Sequence, residues 1–194
     1  MQILVTATTG GIGGAVAHAA REAGHSVSVA NRADFAAQQI LPDESPRFGA
    51  VVFATGMCPV APLSATTDDL FMETVRVNCG LFLRLVREIV RRKLYSPDGT
   101  KIVAVSSVSA TEGWAGGSAY CASKGALSAL CRALDAELKP RGISVAALEP
   151  RYVATAMFDS CAGRMGVPRS EAVPPEELAV ELLEAIGIEE GKQK

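Results

Sequence analysis

The chain has 194 residues, with 19 Lys or Arg against 21 Asp or Glu, a net charge of −2, 48% hydrophobic residues and 5% aromatics. That composition describes one ordinary globular domain, residues 1–194, long enough to bury a core without disulfides or a structural metal. The near-neutral balance supplies no basic surface for nucleic acid or anionic lipid, and the most apolar stretch, 81–90, is broken by Arg84, Arg87 and Glu88, so no membrane span is expected. No charged leader with a cleavage-like site surrounds the first apolar run, Met1 to Val5, which makes a cytoplasmic location the expectation. Cys58, Cys79, Cys121, Cys131 and Cys161 form an odd set without metal-ligand spacing. They read as reduced, mostly buried small hydrophobes, with no metal site.

In chain order, Val- and Ile-rich runs predict strands over 2–6, 26–30, 50–54, 101–106 and 143–148. Helical patterns separate them: 11–23 ending at Gly24, a weak piece over 34–41, a long one over 67–93, another over 118–138 ending before Pro140, and 175–186. Strands alternating with helices predict an α/β fold in which a parallel sheet is covered on both faces, since parallel strands need crossover connections. The alternation Ser26, Val27, Ser28, Val29 suits a sheet edge. Residues 155–174, with Gly163, Gly166 and Pro168, read as a loop, and 156–174 as a mobile cover over the substrate.

Directly after the first strand comes Thr6-Ala7-Thr8-Thr9-Gly10-Gly11-Ile12-Gly13-Gly14. A glycine cluster is often only a tight turn, but at a strand-to-helix junction it lets backbone N–H groups and the positive helix end approach a diphosphate. The second strand ends in Asn31-Arg32. With no carboxylate there to hold a ribose 2′-OH and a guanidinium able to fork onto phosphate, NADP(H) is expected over NAD(H), Asp34 lying further along the chain.

The fourth strand runs into Ser106-Ser107, and thirteen residues on sits Tyr120-Cys121-Ala122-Ser123-Lys124. A tyrosine and a lysine four apart share a helix face, and an ammonium beside a phenol favours the phenolate. Ser107, at the carboxyl end of a parallel strand, reaches the crevice where open α/β sheets bind ligands.

With the glycine turn, Asn78 in Val75-Arg76-Val77-Asn78-Cys79-Gly80, Ser107, and the Tyr120/Lys124 pair in that order, the chain resembles the short-chain dehydrogenase/reductase family from residue 3 to about 157. The resemblance implies a Rossmann-like doubly wound fold in three layers. It also implies hydride transfer between a carbonyl compound and an alcohol. Tyr120 would exchange the proton, Ser107 would hydrogen-bond the substrate oxygen, Lys124 would hold the nicotinamide ribose and lower the tyrosine pKa, and Asn78 would support a water linked to Lys124. The coenzyme set it implies is Thr6, Thr8, Thr9, Gly11, Ile12, Gly13, Asn31, Arg32, Ala54, Thr55, Gly56, Asn78, Tyr120, Lys124, Pro150, Val153 and Thr155.

Three departures stand out. Ala7 replaces the family's first glycine, Arg151 replaces the glycine after Pro150, and only 18 residues, 32–49, join the second strand to the third. The family's third and last strands are therefore expected to be missing, leaving about five in the order 2-1-3-4-5. Arg151 either reaches a diphosphate or acidic substrate, or simply points outward. Trp114, Met57, Tyr152, Met157 and Phe158 suggest an apolar pocket or ordinary packing, and His18, His25, Glu112 and Glu149 have no catalytic partner at a suitable spacing. Partners are expected to be a small carbonyl or alcohol substrate and further copies of the chain, as a homodimer or homotetramer. The rival reading is a dinucleotide-binding sensor or interaction protein of weak catalysis, which would not need the proton donor.

Overall fold

The computed structural model describes residues 1–37 and 39–188. Five strands, β1 (Gln2–Thr6), β2 (Ser26–Ala30), β3 (Ala50–Phe53), β4 (Thr100–Val105) and β5 (Ile143–Leu148), form one parallel sheet in the order β2-β1-β3-β4-β5. This is the order expected from the family resemblance with its third and last strands missing. Pairings such as Thr6 with Ala30, Val5 with Val52, and Val105 with Leu148 bring the carboxyl ends together along one rim. The chain reverses direction across the sheet between β1 and β3, which opens a crevice at that rim.

Side-chain alternation along the strands builds two cores. Ile3, Val5, Ala50, Val52, Val103 and Val105 pack with Val16 and Ala20 of α1 (Gly11–Glu22) and Leu178 and Leu182 of α6 (Pro175–Ala185). Leu4, Val51, Phe53, Ile102 and Ala104 pack on the other face with Phe82, Leu85 and Ile89 of α3 (Leu81–Arg91) and Leu127 and Cys131 of α4 (Ser118–Leu138). The result is three layers. Exposed Ser26 and Val29 mark β2 as a sheet edge, and β5 forms the other edge among the described residues.

The helix predicted over 67–93 is divided. Thr67 caps α2 (Asp68–Val75) by accepting from the Leu70 N–H, a π turn follows at Arg76–Gly80, and α3 completes it. A π turn inserts a residue into the helical ladder and tends to mark a functional site. Here it contains Asn78.

Two expectations are corrected. The short helix over 34–41 is only a three-residue 3₁₀ turn, Asp34–Ala36. The backbone beyond it finds partners on α3 instead: Glu88 accepts from the N–H groups of Ile40 and Leu41 at 2.9 Å each, Arg92 donates to the carbonyls of Leu41 and Pro42, and Arg84 donates to those of Phe35 and Ala37. Side chains of one helix thus satisfy a segment too short to satisfy itself. The stretch 155–174 is not a plain loop, because it contains α5 (Ala156–Met165). Thr155 caps its start by accepting from the Phe158 N–H, and Gly166 ends it at φ 68°, a left-handed conformation that glycine adopts without strain. A bridge between Val153 and Val173 closes the base of this excursion.

Candidate active site

The glycine turn joins β1 to α1. A Cβ on Gly13 would stand 2.4 Å from the Thr6 carbonyl and 2.5 Å from that of Ala7, so only glycine lets the helix start this close to the strand. Ala7 sits at φ 56°, where glycine is the unstrained choice. Thr6 Oγ1 accepts from the N–H groups of Ala54 and Thr55 and from the Thr55 hydroxyl, stitching the ends of β1 and β3. Thr6 and Thr55 therefore spend their hydroxyls on the scaffold. Asn31 Oδ1 accepts from the Thr8 N–H at 3.1 Å, which ties the turn to the end of β2.

Ser107 follows β4, where its Oγ accepts from the Ser109 N–H at 3.1 Å. Tyr120 and Lys124 stand one turn apart on α4, with Lys124 Nζ 5.6 Å from the phenol ring centre and donating to the Val105 carbonyl at 2.8 Å. Ser107 and Tyr120 line the same cleft. The α4 turn is held from below by Ser106, whose hydroxyl meets the Lys124 carbonyl and the Ser128 hydroxyl, while Ser128 donates to Glu149 at 2.6 Å. The ring of Trp114 lies 6.4 Å from that of Tyr120, and its indole N–H donates to Ser109.

Burial governs the protonation of this pair. It pushes the Tyr120 phenol well above its ordinary value, with the nearby Ser107 hydroxyl pulling the other way. It also draws Lys124 down to about 8. In the chain by itself, loss of solvation is the dominant influence on both groups.

Asn78 is fully buried and satisfied on every side. Its Oδ1 accepts from the Met57 N–H at 2.8 Å, and its Nδ2 donates to the Met57 carbonyl at 2.9 Å and to Ser123 Oγ at 2.8 Å. It clamps the chain just beyond β3. A Cβ on Gly56 would stand 3.3 Å from Asn78 Oδ1 and 3.8 Å from Lys124 Nζ, so Gly56 lets both side chains close in.

These parts open onto one cleft at the carboxyl rim. Of the sequence candidates it gathers Ile12, Ala54, Gly56, Ser107, Tyr120, Lys124, Pro150, Val153 and Thr155. Thr8, Thr9, Gly11, Gly13, Asn31 and Arg32 lie outside its wall, around the turn and the β2 end, and Asn78 supports it from behind. Tyr152, Met157 and Phe158 line the apolar side, whereas Trp114 and Met57 do not. Cys58, Cys161 and Met165 line it too, without any signal of their own in the sequence. Positions 157, 161 and 165 recur every fourth residue, the mark of one helix face, but only once α5 is known to be a helix.

At the far end, Arg32 and Arg76 share the Glu73 carboxylate, Arg76 by two hydrogen bonds of 2.6 and 2.7 Å and Arg32 by one contact of 3.5 Å. Asp34 reaches back to the strand end, where its carboxylate accepts from the Asn31 N–H at 2.6 Å. Spacing alone does not reveal this return. Arg151 pairs with Glu112 at 3.1 Å on the exposed lip of the cleft. His18 pairs with Glu22 on the surface of α1, and His25 meets the chain's amino terminus.

A profile of the short chain dehydrogenase family matches residues 42–164. The chain belongs to that family. The short-chain reductase protein NovJ of Streptomyces niveus is 34% identical over 154 residues, which are 79% of this chain and 58% of NovJ. The 3-oxoacyl-[acyl-carrier-protein] reductase FabG of Rickettsia felis is 25% identical over 179 residues, covering 80% of this chain and 74% of FabG. This short chain dehydrogenase thus spans less than two thirds of NovJ. A solved structure from Beutenbergia cavernae, provisionally described as an NAD(P)-dependent gluconate 5-dehydrogenase with NADP bound at low occupancy, superposes at a TM-score of 0.78 with 25% identity, over 92% of this chain and 86% of that one. Among the described residues, no helix of this family member is long and apolar enough to cross a membrane.

Proposed function

We propose that this short chain dehydrogenase interconverts a small carbonyl compound and its alcohol with NADP(H), using Tyr120 as proton donor and acceptor. The observation that carries the reading is the convergence of Ser107, Tyr120 and Lys124 on one cleft at the carboxyl rim of a parallel sheet. The residues fit a dinucleotide: a Cβ on Gly10 would meet nothing within 4 Å, so there is open space for a diphosphate beside the start of α1, while Gly13 keeps that helix close to the sheet. Thr8, Thr9, Gly11, Ile12 and Gly13 would hold the diphosphate side, Ala54, Thr55, Gly56, Pro150, Val153 and Thr155 the nicotinamide side, and Lys124 its ribose. The coenzyme supplies the hydride.

The chain's own groups supply the proton and its placement. Ser107 Oγ hydrogen-bonds the substrate oxygen, and the Tyr120 phenol delivers a proton to that oxygen as charge develops there. Burial keeps the phenol protonated at neutral pH, which suits a donor in reduction. Asn78 positions the strand end and Ser123 of the catalytic helix. The preference for NADP(H) is supported by two guanidiniums, Arg32 and Arg76, gathered on the Glu73 carboxylate near the β2 end, where they could fork onto a phosphate. Asp34 already serves the Asn31 backbone. Exposed Phe71, Met72 and Leu83 on α2 and α3 support assembly with further copies of the chain.

The test is NADPH consumption with a panel of small ketones, quinones and acyl thioesters, run beside Tyr120→Phe. Wild-type turnover on at least one compound, reduced by about 10²–10⁴-fold in the variant with the NADPH titration unchanged, supports the reading. Tight NADPH binding with no turnover on any compound would mark a sensor instead.

A further inference from the structure

Among the described residues the cleft wall carries two charged side chains, Lys124 and Arg151, and no carboxylate. Lys124 is buried and donates to the Val105 carbonyl, so its charge is turned onto the scaffold. Arg151 is the opposite case: its side chain is 65% exposed, and proton transfer makes no use of it. The residue is fixed from both sides, because the Pro150 carbonyl accepts from the Val108 N–H at 3.1 Å and the Tyr152 carbonyl accepts from the Val173 N–H at 3.0 Å. Val108 follows Ser107, and its own carbonyl accepts from the Glu112 N–H at 2.8 Å. One backbone unit thus gathers Ser107, Glu112 and Arg151 at the ends of β4 and β5, neighbouring strands spaced by about 4.8 Å.

The pairing on the lip shows what this guanidinium recognises. Arg151 Nη2 donates to Glu112 Oε1 at 3.1 Å, and among the described residues that is its one hydrogen bond. Most of its fork of N–H donors is therefore open to a second carboxylate. Both partners are more than half exposed, and an ion pair so open to water is weak, so a ligand anion displaces Glu112 at little cost. The coenzyme diphosphate is a poorer partner for it. The diphosphate side lies at the turn after β1, and β3 and β4 stand between that strand and β5, whereas Glu112 draws Arg151 to the segment that runs from Ser107 toward Tyr120.

We propose that Arg151 determines the specificity of this cleft and that the substrate is an oxo acid, its carboxylate seated on the Arg151 guanidinium in place of Glu112 while Ser107 and Tyr120 hold its carbonyl. A planar guanidinium matches the two oxygens of a carboxylate, as it already matches one of Glu112. Holding the substrate at two points orients the carbonyl, which a single hydrogen bond leaves free to turn. Glu112 both steadies the arginine before the ligand arrives and competes with it. The carbonyl end of this proposal rests on the reductase reading, but the grip on the carboxylate does not.

The test compares levulinate and acetoacetate with their methyl esters, which keep the carbonyl and remove the charge. With NADPH, the wild type should favour each acid over its ester in kcat/KM. Arg151→Gln should lower that acid-to-ester ratio by about ten- to a hundredfold, mainly through KM, and Arg151→Lys should restore only part of it, because the charge returns without the fork. Glu112→Gln should move the ratio the other way, up by about two- to fivefold, since the competing carboxylate is gone. A wild type without preference for the acids, a ratio unchanged in Arg151→Gln, a ratio lowered in Glu112→Gln, or an Arg151→Gln protein that loses only NADPH affinity would each overturn the proposal. If none of the four compounds is turned over, the reductase reading fails on its own, and calorimetric titration of the two acids into the protein with NADPH decides the carboxylate site. Binding that weakens about ten- to a hundredfold in Arg151→Gln upholds the site. No binding, or equal binding by both proteins, overturns it.

Discussion

The two ends of the coenzyme crevice are built differently. Around Ser107, Tyr120 and Lys124 the scaffold is fastened by two sets of buried hydrogen bonds, one through Asn78 and Ser123 and one through Ser106, Ser128 and Glu149, with Ser107 and Lys124 themselves buried. At the β2 end the corresponding groups are few and open: Arg32 is more than half exposed, its contact to Glu73 is 3.5 Å, and the segment beyond it contributes one 3₁₀ turn held by Arg84, Glu88 and Arg92 of α3. Proton transfer needs groups held to fractions of an ångström in a poorly solvated site, so that end tolerates little loss. An adenosine end needs mainly charge and surface, and it can shrink while the sheet stays closed by side-chain contacts from α3.

Mutations at the two ends should therefore differ in both size and kind. The largest effect is expected at the buried end from Asn78→Leu, which orphans the Met57 N–H and carbonyl and the Ser123 hydroxyl partner. Urea unfolding should show a loss of about 3–5 kcal/mol, since each stranded buried group costs on the order of 1–3 kcal/mol. A loss below about 1 kcal/mol would mean the clamp is dispensable.

Next comes Lys124, whose folded pKa of about 8 lies below its ordinary 10.5. Between those values the unfolded chain binds more protons, so the native state gains stability as pH rises through that window, and below about 8 the cost of burying the ammonium is constant. Relative to Lys124→Met, which has nothing to titrate there, the wild type should gain on the order of 3 kcal/mol across the window. Parallel stability curves for the two proteins would remove the buried cation from this account.

At the open end the effects should be smaller and confined to ligand. Arg32→Ala is expected to weaken NADPH binding several-fold, about 1–2 kcal/mol, with NADH binding and thermal stability nearly unchanged. Equal losses for both coenzymes would show that Arg32 does not read the 2′-phosphate. The smallest change is Ala7→Gly, which relieves a left-handed alanine and should raise stability by about 0.5–1 kcal/mol, measured by denaturant midpoint. No gain would mean the turn has relaxed around the methyl.

What could be read before folding was whatever local chemistry imposes on its own neighbourhood. The five strands followed from Val- and Ile-rich runs separated by helical periods, their order from the family resemblance with its third and last strands missing, and α4 ran over 118–138 as its pattern requires. Gly13 could be singled out because its reason is local, a helix starting against the strand it follows. The helix α5 was hidden because Gly163 lies within it and Gly166 and Pro168 follow closely, although the Thr155 cap and the Gly166 stop were both present.

Tertiary structure decided whatever depends on groups distant along the chain. It turned Thr6 and Thr55 into a stitch between β1 and β3, brought Asp34 back onto Asn31, gave Asn78 the Met57 backbone to hold, and brought Cys58 and Cys161 to the wall of one cleft. It also set the burial that raises the Tyr120 phenol and lowers Lys124, because the energy of a charged side chain depends on the solvent it loses in the fold, and sequence spacing carries no record of that loss.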